Sequence, residues 1–144
     1  MAGPIETGPI HHLRLTVTNV ERSREFYTKL LGFEVAVESP PPDDPSAEAI
    51  FKVLFGGVVM VRGSLLMGLR PVAPAGDRFD EDRVGLDHLS FSVASRADLE
   101  EAVRLFDEQG VSHGGITTLE GFGIHILPFR DPDNIQIELT APVE

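Results

Sequence analysis

The chain has 144 residues, 42% of them hydrophobic and 24% charged, which is enough to bury an apolar interior as one domain or as two small modules sharing a core. Its 23 acidic and 12 basic residues give a net charge of −11, which argues against binding to nucleic acid or to anionic membranes. Because cysteine is absent, the chain has no disulfide, no thiolate nucleophile and no zinc site with sulfur ligands.

Neither a secretion signal nor a membrane span is indicated by the sequence. The opening residues, MAGPIETGPIHH, lack the apolar core of a signal peptide. No segment approaches the roughly 18 consecutive apolar residues that a membrane span needs. We therefore expect a cytoplasmic protein.

The first half of the chain predicts a strand, a helix and three further strands. Apolar and polar residues alternate in HLRLTV, residues 12–17, as in a strand with one buried face. The next segment, VERSREFYTKLL, carries an apolar stripe at helical spacing, with Asn19 as its N-cap and Gly32 just past its end. Further strands are expected at residues 33–38, within residues 50–61, and at residues 65–69.

The second half repeats this plan. HLSFSV, residues 88–93, alternates like the first strand, and RADLEEAVRLFDEQ follows as a helix capped by Ser95 and ended by Gly110. Later strands are expected near residues 113–117, 124–129 and 135–140. We therefore predict an α+β fold of two βαβββ modules, residues 1–70 and 86–144, joined by a linker at residues 71–85 that is rich in proline, glycine and charge.

Three potential metal ligands lie on the strand faces that point away from the helices. His12 and His88 open equivalent strands, and Glu138 lies on the polar side of the last strand. If the two sheets curve toward each other, these faces line a single metal and substrate cavity. Two histidines and a carboxylate form a facial triad, which leaves coordination positions free for water or substrate. The ligand types suit Fe, Mn, Co, Ni or Zn and do not choose among these ions.

Three stretches together resemble the vicinal oxygen chelate superfamily, which includes glyoxalases, bleomycin resistance proteins and extradiol dioxygenases. They are HHLRLTVTNVERSREFYTKLLGF, DHLSFSV and FRDPDNIQIEL. The resemblance implies paired βαβββ modules around a U-shaped metal cavity, with His12, His88 and Glu138 as the ligands. It further implies a metal-dependent lyase or dioxygenase that acts on a small oxygenated substrate, and a homodimer.

Other residues bear on which reaction is expected. Gly68 aligns with Glu138, where glyoxalase I-like relatives carry an acidic fourth ligand, so glyoxalase I activity is not expected. Extradiol dioxygenases call for an acid/base histidine and a tyrosine near the last strands. His125 is the candidate acid/base, although apolar neighbours on both sides of the strand leave its direction open, and the only tyrosine is Tyr27 in the first helix.

Arg14 should share the face of His12, since the two residues are two positions apart in a strand. It is expected either to clamp an anionic group of the substrate or to form a salt bridge, and we take Arg14 and His125 as the candidate catalytic residues. The alternative function is a metal-free pocket that sequesters a small molecule such as an antibiotic, as in bleomycin resistance relatives. The presence of all three ligands at matching positions favours the enzyme, because a sequestering pocket does not need them.

Overall fold

Two four-stranded mixed sheets organise the chain, one in each half. The computed structural model describes residues 3–144, which divide into two units between Asp77 and Arg78. Sheets that are each covered by helices on one face make this an α+β fold, so the predicted fold class is confirmed. No helix in the described part of the chain is long and apolar enough to cross a membrane.

The first unit contains four strands and two helices. In chain order they are β1 (His12–Thr16), α1 (Val20–Leu31), β2 (Glu34–Glu38), α2 (Ala47–Leu54), β3 (Val58–Arg62) and β4 (Leu65–Arg70). The strands lie in the order β1-β4-β3-β2, and β1 runs parallel to β4 while the other pairs are antiparallel. As predicted, the side chain of Asn19 caps α1, accepting a hydrogen bond from the backbone N–H of Arg22 (2.9 Å), and Gly32 ends the helix with φ 72°.

The core of the first unit lies between its sheet and α1. Leu15 of β1 and Val17, just past the strand, are buried, and Tyr27 of α1 is fully buried with its ring edge-on to that of Phe33 at 6.0 Å. Each large side chain removed from water in this way contributes about 1.5–3 kcal/mol to stability. The opposite face of β1 carries His12, Arg14 and Thr16, all exposed. The strand pattern therefore separates the core from the face that carries the polar candidates.

One helix of the first unit was not predicted from the sequence. The expected strand within residues 50–61 occupies only the end of that run, as β3, and the start of the run belongs to α2. The segment AEAIFKVL is rich in good helix formers, but a short apolar run does not distinguish a buried strand from a helix. The helix ends at Phe55, which has a left-handed backbone with φ 55°.

The second unit contains four strands and one α-helix. They are β5 (Leu89–Ser92), α3 (Arg96–Gln109), β6 (Thr117–Leu119), β7 (Ile124–Arg130) and β8 (Gln136–Pro142). The strand order is β5-β8-β7-β6, with β5 parallel to β8, which repeats the order of the first unit. As predicted, Ser95 caps α3, and it does so in a capping box in which the backbone N–H of Ser95 donates to Asp98 (2.9 Å). Phe106 of α3 stacks on Phe129 of β7 with ring centroids 4.6 Å apart.

The turn before β8 is held by a buried aspartate. One carboxylate oxygen of Asp131 accepts hydrogen bonds from the backbone N–H groups of Asp133 (2.9 Å) and Ile135 (2.8 Å), and Asn134 adopts a left-handed conformation with φ 67°. Asn tolerates this conformation better than most residues other than glycine. Because the turn leads directly into β8, it sets which side chains of that strand face α3 and which face away.

The second part of the predicted linker packs on the second unit. The backbone N–H of Phe79 donates to the carbonyl of Asp133 (2.9 Å), and Arg130 forms a two-pronged ion pair with Glu81 (2.6 and 2.9 Å). Arg130 lowers the pKa of Glu81 to about 2, because its guanidinium donates hydrogen bonds to the ionised carboxylate. The segment that follows Asp77 is therefore part of the second unit rather than a free connection.

Candidate functional site

Glu138 lies on the sheet face opposite α3, although it is almost completely buried. Its neighbours in β8, Ile137 and Leu139, point to the α3 side, so the alternation of the strand turns Glu138 the other way. Glu138 is only 9% exposed. A buried carboxylate is costly unless it is paired. Within residues 3–144 the carboxylate of Glu138 has two polar partners, a long hydrogen bond from the hydroxyl of Thr140 (3.4 Å) and the Nε2 atom of His88 at 3.8 Å, and neither offsets that cost well.

His88 is oriented by the residue that precedes it. Its Nδ1 atom lies 2.6 Å from a carboxylate oxygen of Asp87, which can only accept, so Nδ1 is the donor and the neutral imidazole carries its lone pair on Nε2. That lone pair is on the side of Glu138. Histidines that bind metals commonly donate their other ring N–H to a carboxylate in this way. Asp87 was not singled out in the sequence, and its only signal was its position beside His88.

The donor pair of His88 and Glu138 is suited to a divalent cation. Two ligands that each lie about 2.0–2.2 Å from one ion are about 3 Å apart at a right angle, so the 3.8 Å separation closes with a small side-chain rotation. Among the described residues, neither unit contains a group of three or more His, Asp or Glu side chains that could hold a metal ion. The predicted set takes His12 from the first unit and the other two ligands from the second.

His12 has the same place in the first unit that His88 has in the second. In register, β1 pairs Arg14 with Gly68 of β4, and β5 pairs Ser90 with Glu138 of β8, so each histidine stands two positions before an equivalent strand residue. His12 is exposed, and its Nδ1 atom lies 2.9 Å from Nδ1 of His11. The residue before the histidine therefore contacts its imidazole in both units.

Arg14 occupies the space that the side chain of an acidic fourth ligand would need. A Cβ atom added at Gly68 would lie 2.7 Å from Cγ of Arg14, well inside contact distance. In the second unit the large and small residues change places, since the small Ser90 of β5 pairs with the larger Glu138 of β8. The Nη2 atom of Arg14 donates to the backbone carbonyl of Val53 (2.6 Å). Among the described residues Arg14 forms no salt bridge with a carboxylate, so that one of its two expected roles is not observed.

His125 lies on the face of the second sheet that α3 covers. It pairs with Ala141 of β8, which places it on the side of Leu127 and away from Glu138. Its Nδ1 atom lies 2.8 Å from the hydroxyl of Thr118 and 3.4 Å from a guanidinium nitrogen of Arg96 in α3. The structure does not bring His125 together with Glu138, although both were candidates for one site.

The single tyrosine is also placed away from the polar sheet faces. Tyr27 is fully buried in the core of the first unit, and its ring packs edge-on against those of Phe26 (5.1 Å) and Phe33 (6.0 Å). Tyr27 therefore belongs to the apolar core of the first unit and not to its polar sheet face.

Comparison with known proteins identifies the family. Residues 9–139 match the model of the Glyoxalase/Bleomycin resistance protein/Dioxygenase superfamily. The chain belongs to this superfamily. The resemblance inferred from the sequence is thereby confirmed, and the two repeated sheets are the fold expected of a superfamily member.

Two curated Bacillus subtilis (strain 168) proteins are similar to this superfamily member. The uncharacterized protein YwkD is 29% identical over 131 residues, which cover 90% of this chain and 94% of YwkD. The putative ring-cleaving dioxygenase MhqA is 26% identical over 137 residues. That match covers 94% of this chain and 40% of MhqA, so the chain spans less than half of that relative.

Solved structures agree with this assignment. The glyoxylase/bleomycin resistance protein/dioxygenase domain from Frankia sp. EAN1pec superimposes with a TM-score of 0.73 at 28% identity, covering 95% of this chain and 93% of that domain. A glyoxalase family protein from Enterococcus faecalis gives a TM-score of 0.66 at 26% identity, with 91% and 95% coverage. The fosfomycin resistance protein FosX from Listeria monocytogenes shares the fold with a TM-score of 0.70 at 15% identity, covering 94% of each chain.

Proposed function

We propose that this chain is a divalent-metal-dependent enzyme that acts on a small oxygenated substrate, with His12, His88 and Glu138 as the metal ligands. The observation that carries the proposal is the arrangement around Glu138. A carboxylate that is 9% exposed faces the Nε2 atom of His88, while Asp87 holds the other ring nitrogen at 2.6 Å. This arrangement supports the proposal, because histidines that bind metals commonly donate their other ring N–H to a carboxylate.

Some of the residues at the proposed site supply negative charge, and others orient the ligands. A divalent cation bound to them would supply Lewis acidity toward oxygen atoms of the substrate. Glu138 contributes the negative charge, and its burial limits the competition of water for that charge. Asp87 keeps His88 in the tautomer whose Nε2 lone pair is free. Thr140 donates to Glu138, and the hydroxyl of Ser90 holds Thr140 in turn, so the carboxylate is supported from its own strand and from β5.

Ring-cleaving oxygenation is the second candidate, and the similarity to MhqA favours it. That reaction needs an acid/base group near the ligands, and His125 and Tyr27 are both placed elsewhere. Lewis-acid chemistry of the lyase type therefore has the better structural support. Anaerobic loading with Fe(II), followed by measurement of oxygen uptake with catechol, distinguishes the two candidates, because only the ring-cleaving enzyme consumes oxygen.

Metal binding is the direct test of the proposal. The protein is purified without a histidine tag, its metal content is measured, and Mn²⁺ or Zn²⁺ is titrated by calorimetry. We expect stoichiometric metal in the native protein. Glu138→Gln removes the only anionic ligand at nearly unchanged size, so affinity should fall by well over the roughly 10–100-fold that is typical when a residue supporting a ligand is changed.

Glu34→Gln is the matched control, because Glu34 is also a strand glutamate but is exposed at the start of β2. It should leave metal affinity unchanged. Absence of stoichiometric metal from the native protein, together with equal affinities for both variants, would refute the metalloenzyme. That result would leave the metal-free sequestering protein as the better account.

A homodimer is part of the same proposal. Each four-stranded sheet ends in edge strands, β1 and β2 in the first unit and β5 and β6 in the second, and exposed edges are commonly protected by pairing. Symmetric dimers are the commonest soluble assemblies. Light scattering at micromolar concentration should give twice the mass of the chain, and a monomer with metal bound would contradict the proposal.

A further inference from the structure

Two arginines approach the ring of Phe55 on the polar face of the first unit. The guanidinium carbon of Arg70 lies 4.2 Å from the ring centroid, and that of Arg14 lies 5.8 Å from it. The register of β1 and β4 pairs Arg14 with Gly68 and Thr16 with Arg70. Both arginines therefore lie on the strand face that also carries His12, away from α1.

Phe55, whose ring lies near both guanidinium groups, has an unfavourable backbone conformation. Its φ of 55° is uncommon for any residue other than glycine. The conformation ends α2, where the N–H of Phe55 donates to the carbonyl of Phe51 (2.7 Å). A strained residue that positions a ring against two cations is consistent with a functional rather than a purely structural role.

Neither arginine is neutralised by a carboxylate among the described residues, although the chain carries a net charge of −11. Several other basic side chains do pair with glutamate, as Arg24, Arg96, Arg104 and Arg130 do. Moreover, the Nε atom of Arg70 is buried without a hydrogen-bond partner. A buried N–H without an acceptor is costly, and the ring of Phe55, 4.2 Å from the guanidinium carbon, offsets only part of that cost.

Gly68 makes this arrangement possible. A side chain at this position would collide with Cγ of Arg14, at 2.7 Å from the added Cβ. The position that carries Glu138, the proposed ligand, in the second unit is therefore a glycine in the first unit, and the space beside it is taken by the cationic side chain of Arg14. The two units have equivalent strands but opposite charges at this point.

We propose that Arg14 and Arg70 form an anion-binding subsite that recognises a carboxylate of the substrate, beside the apolar ring of Phe55. This inference rests on the proposed function, since Arg14 shares a face of β1 with the proposed ligand His12, and it names the substrate class as a small organic carboxylate. The planar fork of a guanidinium matches both oxygens of a carboxylate, which favours this anion over a spherical one. A phosphate would accept hydrogen bonds from the same donors, and the experiment below compares the binding of the two anions.

Titrations with benzoate, inorganic phosphate and neutral benzyl alcohol test the subsite. The full ¹⁵N-labelled chain is titrated as purified and again with chelator, and the arginine Nε–H signals are followed by NMR. Benzoate should shift the signals of Arg14 and Arg70 in both conditions and bind more tightly than phosphate, while benzyl alcohol should leave both signals in place. Arg14→Gln and Arg70→Gln should each weaken benzoate binding about tenfold or more, because a charge-assisted hydrogen bond is lost.

Arg62→Gln is the matched control, because Arg62 is an exposed arginine whose β-strand partner is Leu65, on the other face of the sheet. It should bind benzoate like the native chain. Arg70→Lys keeps the positive charge if Arg70→Gln does not fold, and it should still weaken benzoate binding because the planar fork is gone. Equal binding of benzoate and benzyl alcohol, or equal losses in Arg14→Gln and Arg62→Gln, would overturn the subsite. Tighter binding of phosphate would overturn the assignment to a carboxylate.

Metal titration of the native chain separates this inference from the function on which it rests. If metal binds stoichiometrically but benzoate does not shift either arginine, the subsite is refuted and the metalloenzyme stands. If benzoate binds through both arginines while the protein takes up no metal, the subsite stands and the metalloenzyme is refuted.

Discussion

Removing the carboxylate of Asp87 should weaken metal binding without touching a ligand. The Asp87 oxygen lies 2.6 Å from Nδ1 of His88, a charge-assisted hydrogen bond that fixes the tautomer and the orientation of the ring. Loss of such a partner typically costs about 10–100-fold in metal affinity, which corresponds to about 1.4–2.7 kcal/mol. The side chain of His88 is 37% exposed, so solvent screens part of this effect. For Asp87→Ala we therefore expect the lower end, about tenfold.

The Asp87→Asn variant separates orientation from charge. The amide oxygen of asparagine still accepts a hydrogen bond from Nδ1, but the negative charge is gone, so the loss of affinity should be about threefold, between that of the native chain and that of Asp87→Ala. Affinity is measured by calorimetry with Zn²⁺, and the tautomer of His88 is read from its ¹⁵N chemical shifts. Asp43→Ala, a change at an exposed loop aspartate, is the control and should leave both readouts unchanged.

A different outcome would refute this reasoning. If Asp87→Ala bound Zn²⁺ as tightly as the native chain, the contact between Asp87 and His88 would be a surface interaction without a role in metal binding. The same conclusion would follow if the native His88 carried its proton on Nε2, because that nitrogen could then not face a cation.

Two further predictions concern stability. Gly57→Ala should lower the free energy of unfolding in urea by at least about 3 kcal/mol, because an added Cβ would lie 1.8 Å from the backbone carbonyl oxygen of Leu69. Gly115→Ala is the control, because nothing lies within 4 Å of a Cβ added there. Equal losses of unfolding free energy in the two variants would contradict this reasoning. Arg130 lowers the pKa of Glu81 from its ordinary 4.5 to about 2, so their ion pair stabilises the fold above pH 4.5 and its contribution is lost as the pH falls toward 2. The urea midpoints of the native chain and of Glu81→Gln should therefore differ at pH 7 and converge at low pH. A difference that stays constant with pH would contradict this prediction.

Much of the fold could be predicted because its signals are local. The period of two in HLRLTV and HLSFSV determined which side chains of β1 and β5 face the helices, and this parity alone placed His12 and Arg14 on the polar face. The caps of α1 and α3 were equally readable, since Asn19 and Ser95 act within one turn of the chain. The repeat of the two halves likewise needed no tertiary information.

The rest depended on contacts between residues far apart in sequence. Apolar residues flank His125 on both parities, so its direction was decided only by the pairing of β7 with β8, which turns it toward α3. The start of the run at residues 50–61 became a helix because a short apolar segment is compatible with either structure until its neighbours pack. Alignment of the two halves of the sequence also showed that Gly68 is equivalent to Glu138, but it could not show that Arg14 fills the space above Gly68. That contact exists only because β1 pairs in parallel with β4, and strand register is a property of the folded sheet, since it is set by the packing of both strands against a shared core.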